Sequence, residues 1–231
     1  MPRLKKKSLS SVKDIQHIIN NMSNYYPINL HLKDRKCVVV GGGSVAERKV
    51  LTLLEYGASI ELISPKITPA LAKLVHDKSI SHIVRMYRKG DVKGAMLVIV
   101  ATNDATCNKQ IASEAQDINC LINVVDCPAL CSFIVPSIVR RGDLQISIGT
   151  DGTCPSLAKK IRKELEIIFD TRYESFLKLA KRVRDDLKNR IQDIDKRKEI
   201  MNSLVYSDLL QLIHEDKQEE IGKRIREIIS E

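Results

Sequence analysis

A doubly wound parallel α/β sheet, followed by a shorter β segment and a helical end, is the architecture written into this chain. Two patterns predict it. Cys37-Val38-Val39-Val40 and Met96-Leu97-Val98-Ile99-Val100-Ala101 are apolar runs without polar alternation, as strands covered on both faces require. Between such runs lie segments with apolar residues at helical spacing, and strands alternating with helices in this way build parallel sheets.

Residues 12–22 suit a short helix, with Val12, Ile15, Ile18 and Ile19 on one face. Lys33-Asp34-Arg35 turns the chain into the first strand, residues 37–40. The helix after it sets Ala46, Val50, Leu53 and Leu54 on one side and stops at Gly57. The second strand, residues 59–63, ends at Ser64-Pro65. A helix over residues 69–77 leads to a weak strand at 82–85, and the next clear strand is 96–101. The helix 104–117 precedes a fifth strand, 120–125. The pattern changes at Cys131. Residues 132–135 and 144–148 are expected strands, with Arg140-Arg141-Gly142-Asp143 as the turn between them. Pro155 opens a helix at its first position, and Leu157, Ile161, Leu165 and Ile168 form its apolar stripe. From Thr171 onward the pattern is helical throughout, closing on Ile221, Ile225, Ile228 and Ile229.

The chain has 231 residues, 43% of them hydrophobic, which is enough for a real core. No apolar run has the length of a membrane-spanning helix. The basic start, Met1-Pro-Arg-Leu-Lys-Lys-Lys, lacks the apolar stretch and cleavage site of a secretory signal. A cytoplasmic location without a membrane partner is the expectation. The net charge of +9 raises the question of nucleic acid. Residues 1–13 carry five Lys/Arg and no acid, however, while residues 171–231 carry 14 basic and 13 acidic side chains. A basic arm beside a mixed helical surface accounts for that balance. Aromatics make up only 4%, with no basic–aromatic interleaving for stacking on bases, so no nucleic-acid partner is expected. Of the six cysteines, Cys37 and Cys120 fall in apolar strands, and Cys127 and Cys131 lack a second pair at zinc-site spacing. Free thiols are the better reading. The five histidines show no ligand spacing, and no metal site is expected.

The segment Val40-Gly41-Gly42-Gly43-Ser44-Val45-Ala46 directly follows a strand and opens a helix. That is the context of a dinucleotide fingerprint, and it makes the sheet Rossmann-like. Gly41 permits the tight turn, Gly43 lets the backbone approach a pyrophosphate, and Ala46 allows close helix–strand packing. Amides at Ser44 and Val45 can then donate to phosphate. The acidic residue that usually holds the ribose, about 20 residues on, is missing. The second strand ends Ile63-Ser64-Pro65-Lys66. Either Ser64 and backbone groups hold the ribose, or Lys66 favours a 2′-phosphate.

Asn123-Val124-Val125-Asp126 puts a carboxylate just past the fifth strand, at the sheet edge where ligands sit in such folds. Partly desolvated there, Asp126 can serve as a general base; the competing reading is a turn cap before Pro128. Thr102-Asn103-Asp104 lines the same edge and doubles as an N-cap.

Together these motifs resemble the siroheme-synthase N-terminal family, the precorrin-2 dehydrogenases. The residues carrying the match are Tyr26-Pro27-Ile28-Asn29-Leu30, Val39 through Lys49, Ala101-Thr102-Asn103-Asp104 and Asn123-Val124-Val125-Asp126. Ser132-Phe133-Ile134-Val135-Pro136-Ser137-Ile138 and Gly152-Thr153-Cys154-Pro155-Ser156-Leu157-Ala158 continue it. The match runs in order across about residues 26–170, and the helical tail agrees only in type.

The resemblance implies an NAD-dependent oxidation of precorrin-2 to sirohydrochlorin on the route to siroheme. It implies a homodimer, and an arrangement of a basic extension (1–23), a dinucleotide-binding domain (24–135), a dimerisation segment (136–170) and a C-terminal helical domain (171–231). Asp126 stands at the family's essential aspartate; Ser44, Val45, Pro65, Lys66 and Thr102 join Gly41 and Gly43 at the cofactor. The substrate is a polycarboxylate tetrapyrrole, so fixed positive charge should line its cleft. Arg140 and Arg141 are the first candidates, with Lys159, Lys160 and Arg162 beside them. Thr150 joins the substrate set by alignment, where the family often has serine at Thr150 or Cys154 and glycine at Asp151. Some members also insert ferrous iron into sirohydrochlorin, which the sequence leaves open. The alternative from another class is a non-catalytic NAD-binding regulatory subunit, which needs the glycine loop but not Asp126.

Overall fold

The computed structural model describes residues 25–230. The basic extension and the helix expected over residues 12–22 lie outside them. The described chain divides once, between Val135 and Pro136, into two compact units.

The first unit is a five-stranded, fully parallel sheet in the order β3-β2-β1-β4-β5. Its strands are β1 (Lys36–Val40), β2 (Ser59–Ile63), β3 (Ser81–Ile83), β4 (Leu97–Val100) and β5 (Leu121–Val124). The helices between them are α1 (Ser44–Glu55), α2 (Pro69–His76) and α3 (Ala105–Asp117). The double winding is visible in the alternation of single strands. Cys37 and Val39 of β1 face a cluster completed by Ala46, Val50 and Leu53 of α1 and Leu71 of α2. Val38 and Val40 face another cluster, with Ile111, Ala112 and Ala115 of α3. With one helical layer on each face, the central strands have no wet side, and that explains their unbroken apolar runs.

Strand order reverses between β1 and β4, whose ends pair as Val40 with Val100. Gly41 N–H then donates to Ile63 O at 2.9 Å, and Ala101 N–H to Val40 O at 2.8 Å, so the sheet closes immediately beneath the loops that follow. A crevice at this reversal is where open α/β sheets bind ligands.

One expected strand is absent. Residues 132–135 form no ladder; β6 starts at Ser137 instead. The reason lies at the free edge of β5. Ser132 N–H donates to Ile122 O at 2.9 Å, and Ile122 N–H donates back to the Ser132 side chain at 2.9 Å. Val124 N–H is met by Cys131 Sγ at 3.2 Å. Side chains thus take the places of partner carbonyls, and the edge is covered without a sixth strand.

In the second unit, β6 (Ser137–Arg141) and β7 (Leu144–Ile148) form an antiparallel hairpin. Arg140 and Arg141, expected in the turn, belong to β6; the turn is Gly142-Asp143, with Gly142 at φ +57°. Helix α4 (Pro155–Ile168) packs on this hairpin, with Pro155 in its first turn as expected. The rest is helical, as the pattern from Thr171 predicts: α5 (Arg172–Arg190), α6 (Ile194–Tyr206), α7 (Leu209–His214) and α8 (Gln218–Ser230). Phe176, Ala180, Val183 and Leu187 line one face of α5 against Leu204, Leu209 and Ile228. No helix among the described residues is long and apolar enough to cross a membrane.

Candidate active site

The glycine loop is shaped by three different demands. Gly41 has φ +115°, and a Cβ there would lie 2.2 Å from Ala101 O, so both conformation and packing exclude a side chain. Gly42, which the fingerprint leaves unspecified, is equally constrained, because its Cβ would come within 2.0 Å of Lys66 O. Gly43 is extended, exposed and open, with nothing within 4 Å of an added Cβ. The protein itself does not require glycine at that position. A ligand approaching the backbone there would.

Helix α1 begins at Ser44 with no side-chain cap, and its first internal bond is Glu47 N–H to Gly43 O at 3.0 Å. The amides of Ser44, Val45 and Ala46 therefore have no acceptor within the helix, and they carry the positive end of its dipole. Open space over Gly43 beside three unspent amides fits a pyrophosphate.

Around the loop lies a cleft of about 270 Å³, bounded by Gly41–Gly43, Ser64–Lys66, Met86, Tyr87, Ala101, Thr102 and Cys107. Gly41, Gly43, Pro65, Lys66 and Thr102 thus line one cleft, with Ser44 and Val45 next along α1. A larger hollow of about 550 Å³ runs along Asp34–Lys36 and Lys93–Met96, at the amino ends of β1 and β4. Ligands of parallel sheets sit at the carboxyl ends, so the smaller cleft is the candidate site.

Supporting bonds fix the walls. Thr102 Oγ1 donates to Asn108 Oδ1 at 2.6 Å, and Asn108 Nδ2 returns a bond to Thr102 O at 3.2 Å. Asp104 caps α3 by accepting from the amides of Thr106 (2.9 Å) and Cys107 (3.0 Å). Met86 and Tyr87 were not foreseen, because they follow a short edge strand and carry no motif. Tyr87 donates its hydroxyl to Glu114, which also accepts from Gly90 N–H at 2.7 Å. Burial, reinforced by that carboxylate, pushes the Tyr87 phenol far up, and it stays protonated.

Asp126 stands at the same sheet edge, one strand beyond β4. Val125 N–H continues the ladder to Val100 O at 2.9 Å, and Asp126 then takes the left-handed conformation, φ +58°. Aspartate tolerates that region better than most residues. Asp126 is exposed, which corrects the expectation of a partly desolvated carboxylate. Cys127 N–H to Val124 O (3.2 Å) and Cys131 Sγ against Cys127 O (3.3 Å) tie its loop down.

Two family models match this chain. Residues 28–137 fit the one described as "Putative NAD(P)-binding", and residues 141–166 the one described as "Sirohaem biosynthesis protein central". The siroheme synthase of Methylobacillus flagellatus is 42% identical over 164 residues, 71% of this chain and 35% of that protein. The chain is homologous to siroheme synthases along these matched stretches. A second relative, the siroheme synthase of Vesicomyosocius okutanii, is 38% identical over 210 residues, 87% of this chain and 45% of its own. The chain thus spans less than half the length of these curated relatives. Among solved structures, SirC, precorrin-2 dehydrogenase, superposes with a TM-score of 0.75 at 24% identity, over 88% of this chain and all of that one. That likeness is one of fold.

In and beside the segment that fits the second model, residues 141–166, the expected substrate residues make different contacts. Arg141 donates to Arg140 O at 2.7 Å and to Glu166 O at 3.0 Å, the second bond tying β6 to α4, while its buried Nε has no hydrogen-bond partner among the described residues. Arg140 is exposed. Thr150 accepts from Cys154 N–H at 3.2 Å, shaping the turn that leads into α4. Arg162 pairs with Glu166, and Lys160 with Glu164, one helical turn away.

Proposed function

We propose that the chain is an NAD-dependent precorrin-2 dehydrogenase, oxidising precorrin-2 to sirohydrochlorin in siroheme biosynthesis. The observation that carries this reading is the position of Asp126. An exposed carboxylate, held in a left-handed turn, shares the carboxyl edge of the sheet with the dinucleotide cleft.

NAD, when bound, accepts a hydride from the substrate. The chain's part is to hold the phosphates on the amides of Ser44–Ala46 and to seat the dinucleotide between Thr102 and Pro65-Lys66. Asp126 takes the proton that leaves with the hydride, so that removal of two hydrogens balances. Water is withdrawn from Asp126 by the substrate rather than by the protein's own packing. Arg140 answers the substrate's carboxylates; Arg141 and Thr150 shape the scaffold that presents it. The same carboxylate would serve to remove pyrrole protons during iron insertion.

Helix α4 supports a homodimer built through residues 136–170: it buries only Ala158, while Leu157 (47%) and Ile168 (57%) stay exposed. All six cysteines are free, which suits a cytoplasmic, reducing setting. The partners proposed are thus a second copy of the chain and a small-molecule substrate, not nucleic acid or membrane.

Anaerobic incubation with NAD and enzymatically generated precorrin-2 should produce NADH. Asp126→Asn, which keeps the left-handed turn accessible, should lower kcat by about 10²- to 10⁴-fold while calorimetric NAD affinity changes little. Dinucleotide binding without turnover by the wild type would instead support a regulatory NAD-binding subunit. Ferrous ion added to sirohydrochlorin decides the chelatase step.

A further inference from the structure

In dinucleotide-binding sheets, an acidic residue at the end of the second strand hydrogen-bonds the adenosine ribose and repels a phosphate on its 2′-oxygen. Here β2 ends at Ile63 and runs on as buried Ser64, then exposed Pro65 and Lys66. The Ser64 hydroxyl donates to Lys66 O at 2.7 Å, and that carbonyl sits where a Cβ on Gly42 would be. The backbone of Lys66 is therefore pinned directly beside the glycine loop. Among the residues that line the cleft, Lys66 is the only one with a formal charge.

The surrounding carboxylates are already engaged. Glu47 accepts the hydroxyl of Thr68 at 2.6 Å, and Thr68 N–H in turn donates to Gly42 O. Asp91 is held by both guanidinium nitrogens of Arg85, at 2.7 and 2.8 Å. Glu114 holds Tyr87 and Gly90. His82 is turned to the carbonyl of Ser64, at 2.9 Å. A 2′-phosphate would meet one cation and no unpaired acid of the cleft lining.

We propose that this end of the cleft admits a 2′-phosphate, so that the chain binds NADP about as well as NAD, with Lys66 supplying the charge. The proposal rests on the dinucleotide reading of the cleft and not on the identity of the second substrate.

Calorimetry with NAD and NADP on the full chain tests it without turnover. The wild type should bind the two within about threefold of one another, and Lys66→Glu should lower the ratio of NADP to NAD affinity by about tenfold. Lys66→Arg should preserve the ratio, and added salt should erode the NADP side first, as an exposed ion pair requires. NAD binding with NADP more than about tenfold weaker overturns the proposal alone. So does a ratio that Lys66→Glu leaves unmoved in a protein whose circular dichroism is unchanged. Failure of both dinucleotides to bind overturns the dinucleotide reading as well.

Discussion

Every residue of β4 and four of the five in β1 are buried, whereas β6 and β7 together bury only Val139. The first unit covers both faces of its sheet with its own helices. The second covers one side of a hairpin with α4 and places its main core among α5–α8. The difference separates two kinds of site. In the first unit the site is made of backbone: glycines, a helix start and strand ends whose positions the buried sheet dictates. In the second, candidate function rests on side chains at a surface, Arg140 for charge and Leu157 and Ile168 for assembly. A site of the first kind is broken by adding atoms, and one of the second by changing polarity.

The largest effect should come from adding one methyl group. Gly41→Ala combines a strained left-side φ with a Cβ 2.2 Å from Ala101 O. It should cost about 2–5 kcal/mol, measured as a lowered urea midpoint. Gly43→Ala, two residues away, meets nothing within 4 Å and has an ordinary φ of −83°. It should leave the urea midpoint unchanged yet weaken NAD binding by about tenfold or more, because a methyl group keeps phosphate from the α1 amides. Equal loss of stability in both variants would show that the loop is structural throughout.

Changing polarity on α4 should act on assembly and not on the fold. Leu157 and Ile168 lie eleven residues apart and so within about 20° of one another around the helix. Replacing both with Asp should leave the circular dichroism intact and convert a dimer to a monomer in sedimentation analysis. A monomeric wild type, or a double variant that sediments unchanged, removes residues 136–170 as the dimerisation surface. The expected shift in dimer affinity is about 2 kcal/mol or more, since each residue loses a buried aliphatic contact and gains a charge to bury.

Much of this was legible in the sequence. β1, β4 and α1 follow from apolar runs and helical spacing, and the cleft follows from Gly41 and Gly43. What escaped depends on partners far away in the chain. Gly42 needs glycine because Lys66 O returns to it from the next loop, a contact no local pattern encodes. Residues 132–135 have strand composition, but Ser132 and Cys131 satisfy β5 with side chains, so composition and ladder part company. For Asp126 the strand end was legible and the exposure was not, because solvent access depends on which neighbours fold over it.

The two units differ in their charges as well, and this gives the smallest effect. In the first, Asp91 is 11% exposed and bound by two nitrogens of Arg85 and by Arg88 N–H at 2.7 Å. In the second, pairs such as Lys198 with Asp195 stand 68% and 86% exposed. Exposed pairs of that kind contribute little, and salt screens them. The hydrogen bonds from Arg85 hold the Asp91 carboxyl below its ordinary value of 3.8. The unfolded chain therefore takes up a proton there before the folded one does. Stability from this pair is fully present above pH 3.8, declines as pH falls through that value, and is gone below the folded value. Asp91→Asn should accordingly lower the urea midpoint at neutral pH, and its curve should converge on that of the wild type in acid. Asp195→Asn should leave the urea midpoint at neutral pH nearly unchanged, since that pair is exposed. Parallel curves for Asp91→Asn, with the same gap in acid as at neutrality, would mean that the Asp91 contacts contribute through packing and not through charge.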